Sequence, residues 1–225
     1  MISKIIIAAL IVRCEALDMI KKIAVKDVRY KLEKGAGSDA IHRDPVYSYA
    51  VTTLIDDSGV TGNGFAFTLG EGNDLVCKAA AFYAEQLVGK DIEELMNNFG
   101  QLFNQLSNEQ QFRWLGPHKG VVHLALASVT NACYDLWAKK RDVPLWKLLI
   151  DLSPEQIVNT LDLSYLEDEL TKVEAQGRVL SHEEHEPAAQ RTLWRDACGE
   201  LRAEVRLGAL DDGAKAREHA HRPRP

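Results

Sequence analysis

The sequence predicts an α+β fold: a three-stranded antiparallel meander followed by a helical bundle. Three observations predict it. Strand-forming runs come first and lie close together, separated by Gly- and Asp-rich breaks, and helical patterns follow them. Residues 121–138 contain neither Gly nor Pro, and 13 of these 18 residues are apolar. Beyond residue 172 the composition changes abruptly: residues 19–172 hold 12 Lys and 4 Arg, whereas residues 173–225 hold 1 Lys and 8 Arg.

The elements follow in order. Residues 20–30 carry Ile23, Val25 and Val28 in imperfect alternation with Lys and Asp, as a half-exposed strand would. Residues 46–55 are rich in Tyr, Val and Thr and end at Asp56-Asp57-Ser58-Gly59, a turn signal. Residues 60–69 continue with strand formers, interrupted by Gly62 and Gly64, before a break at Gly70-Glu71-Gly72. Asn73 or Asp74 can then cap a helix running to about residue 88. Asp91 starts a shorter helix, and residues 99–106 form another.

The central helix comes next, introduced by a Gly116-Pro117 turn. Its polar residues Ser128, Asn131 and Asp135 fall at i, i+3 and i+7, one narrow stripe of a helix. A helix apolar on nearly every other side must be buried on most of its circumference, so the other elements should surround it. Pro144 is expected in the first turn of a short helix carrying Leu145, Trp146, Leu148 and Leu149. The tail, residues 173–225, has no Ile, Phe or Tyr and a single Trp, and buries too little to offset its ordering entropy. It reads as disordered or frame-shifted, with at most a weak helix over residues 188–205. Residues 1–18 read as an N-terminal extension. Their apolar run, residues 5–12, has the length of a signal core, but Arg13-Cys14-Glu15 stands where small residues should mark cleavage.

Composition excludes several functions. A net charge of -6 argues against nucleic acid as a partner, because phosphate binding needs a basic face. No apolar run reaches the roughly 20 residues a membrane span requires. Cys14, Cys77, Cys133 and Cys198 show no metal-ligand spacing and read as buried or idle thiols of a reducing compartment. The cytoplasm is the default, with a mitochondrial location left open.

Catalytic sets are missing: no G-x-S-x-G, no P-loop, no G-x-G-x-x-G after a strand and no H-E-x-x-H. His182 and His185 belong to a solvated charged run, and His118 and His123 read as capping or core histidines. Asp162, an acid in an apolar run, could mark a strand end near a site. The stronger candidate is the long polar loop between the first two strands. There Ser38, Asp39 and the backbone around Gly37 can hydrogen-bond a polyol or carboxylate, and Tyr47 adds a hydroxyl on a rigid arm. Its two glycines, Gly35 and Gly37, suggest a mobile lid. A plain surface loop is the alternative.

These residues also carry a resemblance. Asp27-Val-Arg29, the loop from Gly37-Ser-Asp39 through His42-x-Asp-Pro45 to Tyr47-Ser48, and Phe67-Thr-Leu-Gly70 occur in one family in this order. So do Arg113-Trp-x-Gly-Pro, the segment ending Asp135-Leu-Trp-Ala-Lys139, and Pro144-x-Trp-Lys-Leu-Leu149. Residues 19–172 are similar to the amino-terminal capping domain of L-fuconate dehydratases, the enolase-superfamily branch that includes the mitochondrial enolase superfamily member 1 proteins. His118 stands where an acidic residue is usual.

The resemblance implies a cap over a (β/α) barrel. In such enzymes a base removes an α-proton from a sugar acid such as L-fuconate, Mg2+ holds the enediolate, and water is eliminated. The cap supplies substrate contacts and excludes solvent. By motif position, Gly37, Ser38, Asp39 and Tyr47 are the expected substrate-binding residues; none is expected to be catalytic or to hold metal. A (β/α) barrel needs roughly 200 residues, and 53 follow Lys172. The family's Lys-x-Lys base motif, its metal carboxylates and its His-Asp pair have no counterpart. The expectation is a truncated dehydratase-like fragment, inactive alone. The alternative is a non-catalytic cap that associates with full-length relatives.

Overall fold

The computed structural model describes residues 19–115 and 120–185, with side chains through Ser181. Three strands, β1 (Ile20–Lys31), β2 (Val46–Asp56) and β3 (Thr61–Thr68), form one antiparallel sheet in the order β1-β2-β3. Helices α1 (Asn73–Glu85), α2 (Ile92–Asn97) and α3 (Phe99–Ser107) follow, then a 3-10 turn at Gln110–Leu115. The long α4 (Val121–Lys140) precedes the short α5 (Leu145–Ile150) and α6 (Pro154–Asn159). The expected meander and helices are present, and α4 is the central helix, with ten buried residues.

Alternation along β2 explains which face of the sheet is covered. Ser48, Ala50, Thr52, Leu54 and Asp56 are buried under the helices, while Tyr47, Tyr49, Val51, Thr53 and Ile55 lie on the opposite, outer face. Register carries the outer face across the sheet: Val28 pairs with Tyr49, Tyr30 with Tyr47, Phe67 with Tyr49 and Phe65 with Val51.

The polar stripe of α4 explains why this helix sits where it does. Gly62 and Gly64, which look like interruptions of a strand, form the groove that receives it. A methyl group on Gly64 would come within 2.2 Å of the Ser128 carbonyl oxygen, and one on Gly62 within 2.3 Å of that of Ala132. The Ser128 hydroxyl donates to the Ala50 carbonyl at 2.8 Å and meets the Thr52 hydroxyl at 2.7 Å, so both buried hydroxyls are satisfied. Further along, Asp135 accepts the Asn63 N–H at 2.7 Å, and Lys139 donates to Asp135 at 2.6 Å and to the Thr61 carbonyl at 3.0 Å. Helix side chains thereby cap backbone groups of edge strand β3 that would otherwise be open to another strand.

A buried ion pair pins the far end of α4. Asp56, whose side chain is inaccessible, meets Lys140 at 2.7 Å. Burial pushes the Asp56 carboxyl up, but hydrogen bonds from Lys140, Ser58 and the Val60 N–H more than offset it and leave it below its ordinary value.

Several details correct the sequence reading. Gly72, in a left-handed conformation with φ 86°, caps α1 in place of Asn73 or Asp74. Asn73 is instead buried; it donates to Asp27 at 2.6 Å and accepts from Thr68, tying the helix start to two strands. Pro144 is the cap residue of α5, one position before its first turn. Helix α6 was not anticipated, although Ser153 and Gln156 form a reciprocal capping box around Pro154. Asp91 caps α2 as expected, accepting the Glu94 N–H at 2.9 Å.

Residue 173 begins a second unit, of which residues 173–185 are described. The start of the tail, expected to lack structure, is helical: α7 runs from Lys172 to His185 and carries His182 and His185. The N-terminal extension, Cys14, the Gly116-Pro117 turn, His118, Cys198 and the weak helix expected over residues 188–205 lie outside the described residues.

Candidate functional site

The β1–β2 loop is built by backbone conformations that few residues tolerate. Gly35 and Gly37 have φ of 84° and 68°, and Asp44 reaches 49°, held there before Pro45. Gly37 has a second reason to be glycine. A Cβ on it would lie 2.9 Å from the Tyr47 hydroxyl oxygen and 2.8 Å from Leu32. The loop backbone is therefore laid directly against the Tyr47 hydroxyl, and the ring of Tyr47 is itself seated edge-on against Phe67 at 4.9 Å.

Side chains then lace the loop together. Ser38 Oγ accepts the Asp44 N–H at 2.9 Å, and Asp44 accepts the Gly35 N–H at 2.7 Å. Asp39 Oδ1 accepts the N–H groups of Ile41 at 2.8 Å and His42 at 2.6 Å, and the carboxylate also meets His42 Nδ1 at 3.0 Å. Hydrogen bonds from the His42 backbone and ring, then from the Ile41 N–H, hold the Asp39 carboxyl down to about 2. The loop that looked like a mobile lid is thus cross-tied at four side chains, all within 32–47.

The structure gathers the four sequence-predicted residues in this one loop and its flanking strand. Gly37 and Tyr47 touch, Ser38 ties to Asp44, and Asp39 ties to His42. Residue-level reading missed His42 and Asp44 as parts of the same unit. The Asp-x-x-His spacing of a side-chain-bonded turn was the available signal.

Next to the loop, the outer sheet face carries a cluster of aromatic groups. Tyr49 packs against Phe65 at 5.6 Å and Phe67 at 5.4 Å. Yet Val28 is 45% exposed, Tyr30 67%, Phe65 57% and Phe67 42%, so this face is open.

Other candidates resolve differently. Asp162 lies in the loop after α6, not at a strand end, and its carboxylate accepts the Asn104 amide at 3.2 Å and the Ser164 N–H at 3.1 Å. It lines a cleft of about 550 Å³ with Asn104, Ser164 and Glu167, remote in sequence from the loop. His123 is half-buried and packs edge-on to Phe103. Cys133 is buried, and that burial pushes its thiol up to about 12; Cys77 is half-buried, with its thiol also raised by burial. Both are free thiols of the packed interior. Among the described residues no three His, Cys, Asp or Glu side chains come together as metal ligands. No helix among the described residues is long and apolar enough to cross a membrane.

A meander backed by helices, with a glycine-bearing loop between its first two strands, is the architecture that the resemblance to an enolase-superfamily capping domain implies. Residues 40–149 match the family described as "Mandelate racemase / muconate lactonizing enzyme, N-terminal domain", and this stretch is a domain of that kind. It is 45% identical over 154 residues to mitochondrial enolase superfamily member 1 of Xenopus laevis, a match covering 67% of this chain and 35% of that protein. It is 43% identical over 152 residues to the L-galactonate dehydratase of Hypocrea jecorina, covering 67% and 34% of the two chains. The crystal structure of human mitochondrial enolase superfamily member 1 superposes with a TM-score of 0.65 at 40% identity, covering 71% of this chain and 37% of that one. A Streptomyces coelicolor racemase with bound magnesium shares the fold, with a TM-score of 0.51 at 22% identity, over 60% and 36% of the two chains. The chain thus spans about a third of the length of the curated relatives it matches.

Proposed function

We propose that this chain is the substrate-capping part of an L-fuconate dehydratase-like enzyme, and that it has no turnover by itself. The observation that carries the reading is the β1–β2 loop. Its backbone is laid against the Tyr47 hydroxyl at Gly37, and Ser38 and Asp39 follow directly. A cap that touches a polyhydroxy acid needs such a set: a close-approaching backbone, hydroxyl groups and a carboxylate that can accept from ligand hydroxyls, fixed in place before the ligand arrives. The 43% identity to an L-galactonate dehydratase supports a sugar acid as the ligand class.

The chemistry would be supplied elsewhere. In such enzymes magnesium stabilises the developing charge on the substrate carboxylate. The residues of this chain would bind the sugar-acid hydroxyls, orient them and keep water out of the closed site. The base and metal ligands would belong to the barrel portion of complete relatives, as the lack of a Lys-x-Lys pair in these 225 residues supports. The relatives' name makes a mitochondrial location a natural alternative to the cytoplasm.

A chimera tests this. Residues 19–172 would be joined to the remaining two thirds of human mitochondrial enolase superfamily member 1 and assayed for magnesium-dependent loss of water from L-fuconate and L-galactonate. The reading expects dehydration by the chimera and none by the purified 225-residue chain. A cooperatively folded chimera inert toward both acids would overturn the sugar-acid assignment, and turnover by the chain alone would overturn the claim of inactivity.

The open outer face supports a second reading, a non-catalytic cap that associates with full-length relatives. Phe65 and Phe67 would be its anchors, given their exposure on an apolar face. Co-elution with the human relative, abolished by Phe65→Asp, is its expected result. A monodisperse monomer in the mixture counts against it.

A further inference from the structure

The two edges of the sheet are finished differently. Edge strand β1 is tied at its start, where the Ile20 N–H donates to the Lys90 carbonyl at 2.9 Å and the Ile20 carbonyl accepts the Gly89 N–H at 2.8 Å. The rest of β1 carries Lys21, Lys22, Lys26, Arg29 and Lys31 against a single acid, Asp27, and charges of this kind deter another strand. Edge strand β3, Thr-Gly-Asn-Gly-Phe-Ala-Phe-Thr, has no charged residue and no proline. Hydrogen bonds show which of its backbone groups point outward. The Asn63 N–H reaches Asp135 and the Thr61 carbonyl receives Lys139, so these residues turn their backbone away from β2. Alternation in an antiparallel ladder gives Phe65 and Phe67 the same direction. Helix α4 therefore closes the start of this edge. The outward N–H and C=O groups of Phe65 and Phe67 have no partner among the described residues. Where α4 passes this open stretch it presents the exposed Asn131, close to Gly64, and the exposed Ala127 one turn earlier, both uncharged.

We propose that a second copy of this chain adds to β3 along Phe65–Phe67, antiparallel about a two-fold axis at Ala66. In that register Phe65 of each copy lies opposite the partner's Phe67. Every open group then meets an open group, and about four backbone hydrogen bonds form across the axis. A register moved two residues toward the β2–β3 turn would set Phe67 against Asn63, whose N–H is already held by Asp135. The rings favour the same register. Phe65 and Phe67 are 57% and 42% exposed on the outer face, and pairing sets each beside the other kind across the strands, an aromatic pair that adds to the ladder. Two sheets of three strands become one of six. Because both copies use the same strand, the contact is closed and stops at two, whereas β3 on β1 would leave a free edge at each end and grow. The proposal is independent of the sugar-acid reading above.

The test uses the full 225-residue chain. Analytical ultracentrifugation from about 1 to about 500 µM, a span that covers weak and moderate association, should show monomer passing to dimer. Amide hydrogen exchange then reads the edge itself. The Phe65 and Phe67 amides should exchange at least about tenfold more slowly in the concentrated sample, while the Asn63 amide, already bonded to Asp135, changes little. Phe65→Pro removes an N–H that the monomer's own ladder does not use, so this variant should melt as the native chain does and stay monomeric. Phe65→Tyr keeps both the N–H and the ring and should still dimerise.

A monomer over the whole range overturns the proposal. So does a dimer whose Phe65 and Phe67 amides exchange as freely as in the dilute sample, since the copies would then meet through another surface. Growth beyond two copies overturns the closed pairing of β3 with β3. If Phe65→Pro fails to fold, the amide exchange of the native chain decides among these outcomes.

Discussion

The two faces of one sheet are used in opposite ways. On the inner face Gly62, Gly64, Ala50 and Ala66 are small, so α4 approaches until only hydrogen atoms fit between backbone and helix. Polar groups there pair internally, as Ser128 does with Thr52 and Ala50. On the outer face the residues are large and aromatic, and Phe65 and Tyr30 remain mostly open. The loop carrying Gly37, Ser38, Asp39 and Tyr47 joins this second face through the Tyr47–Phe67 contact. The difference teaches where the fold is decided and where function is free to sit. Substitutions on the inner face should cost stability, whereas those on the outer face and loop should cost binding.

The largest effect should come from Gly64→Val. Its side chain would collide with the Ser128 carbonyl and the Ala132 nitrogen, at 2.2 and 2.3 Å for the first carbon alone. Overpacking costs about 1–3 kcal/mol and more where backbone must move, so urea denaturation should show a loss of ~3 kcal/mol or greater. Lys140→Met comes next. It leaves the inaccessible Asp56 carboxylate without its cation, a change that costs about 3–5 kcal/mol in buried pairs, here at the lower end because Ser58 and Val60 still donate. Ser128→Ala should cost about 1–2 kcal/mol by orphaning buried partners.

On the outer face Phe65→Ser should change stability by no more than about 0.5 kcal/mol. It should, however, reduce self-association and binding of an apolar dye, measured by light scattering and fluorescence. If it destabilises as much as Ser128→Ala, the outer face belongs to the core and the contrast fails. The mildest perturbation is acid. The Asp39 carboxyl lies below its ordinary 3.8, at about 2. Its contribution is complete above the ordinary value and disappears as pH falls through about 2. Loop amides of Ile41 and His42 should therefore lose exchange protection in that window while the sheet stays folded.

Much of this contrast was legible in the residues. The polar stripe of α4 and its otherwise apolar surface marked it as the helix that other elements surround, because burial on most sides leaves a fixed period; the alternation in β2 that sets the sheet's inner face was not read. The glycines of β3 were seen, but as interruptions. Their role depends on a helix more than sixty residues away, which no local pattern encodes. Asn73 looked like a cap because its type suits one, yet a buried partner, Asp27, outcompeted the helix end for its side chain. The Ser153–Gln156 capping box could have been found and was overlooked among short apolar runs. In the loop, Gly37, Ser38, Asp39 and Tyr47 stood out by type and by family likeness. His42 and Asp44 did not, since their significance lies in hydrogen bonds that form only once the loop closes on itself.

The most direct measurement compares kcat/KM for L-fuconate in the human-barrel chimera with its native loop and with residues 35–44 replaced by a Gly-Ser stretch of equal length. The account predicts a fall of about a hundredfold, the scale of losing a positioning element, with an unchanged urea midpoint. Equal kcat/KM for the two chimeras would contradict it and return the loop to a plain surface connection.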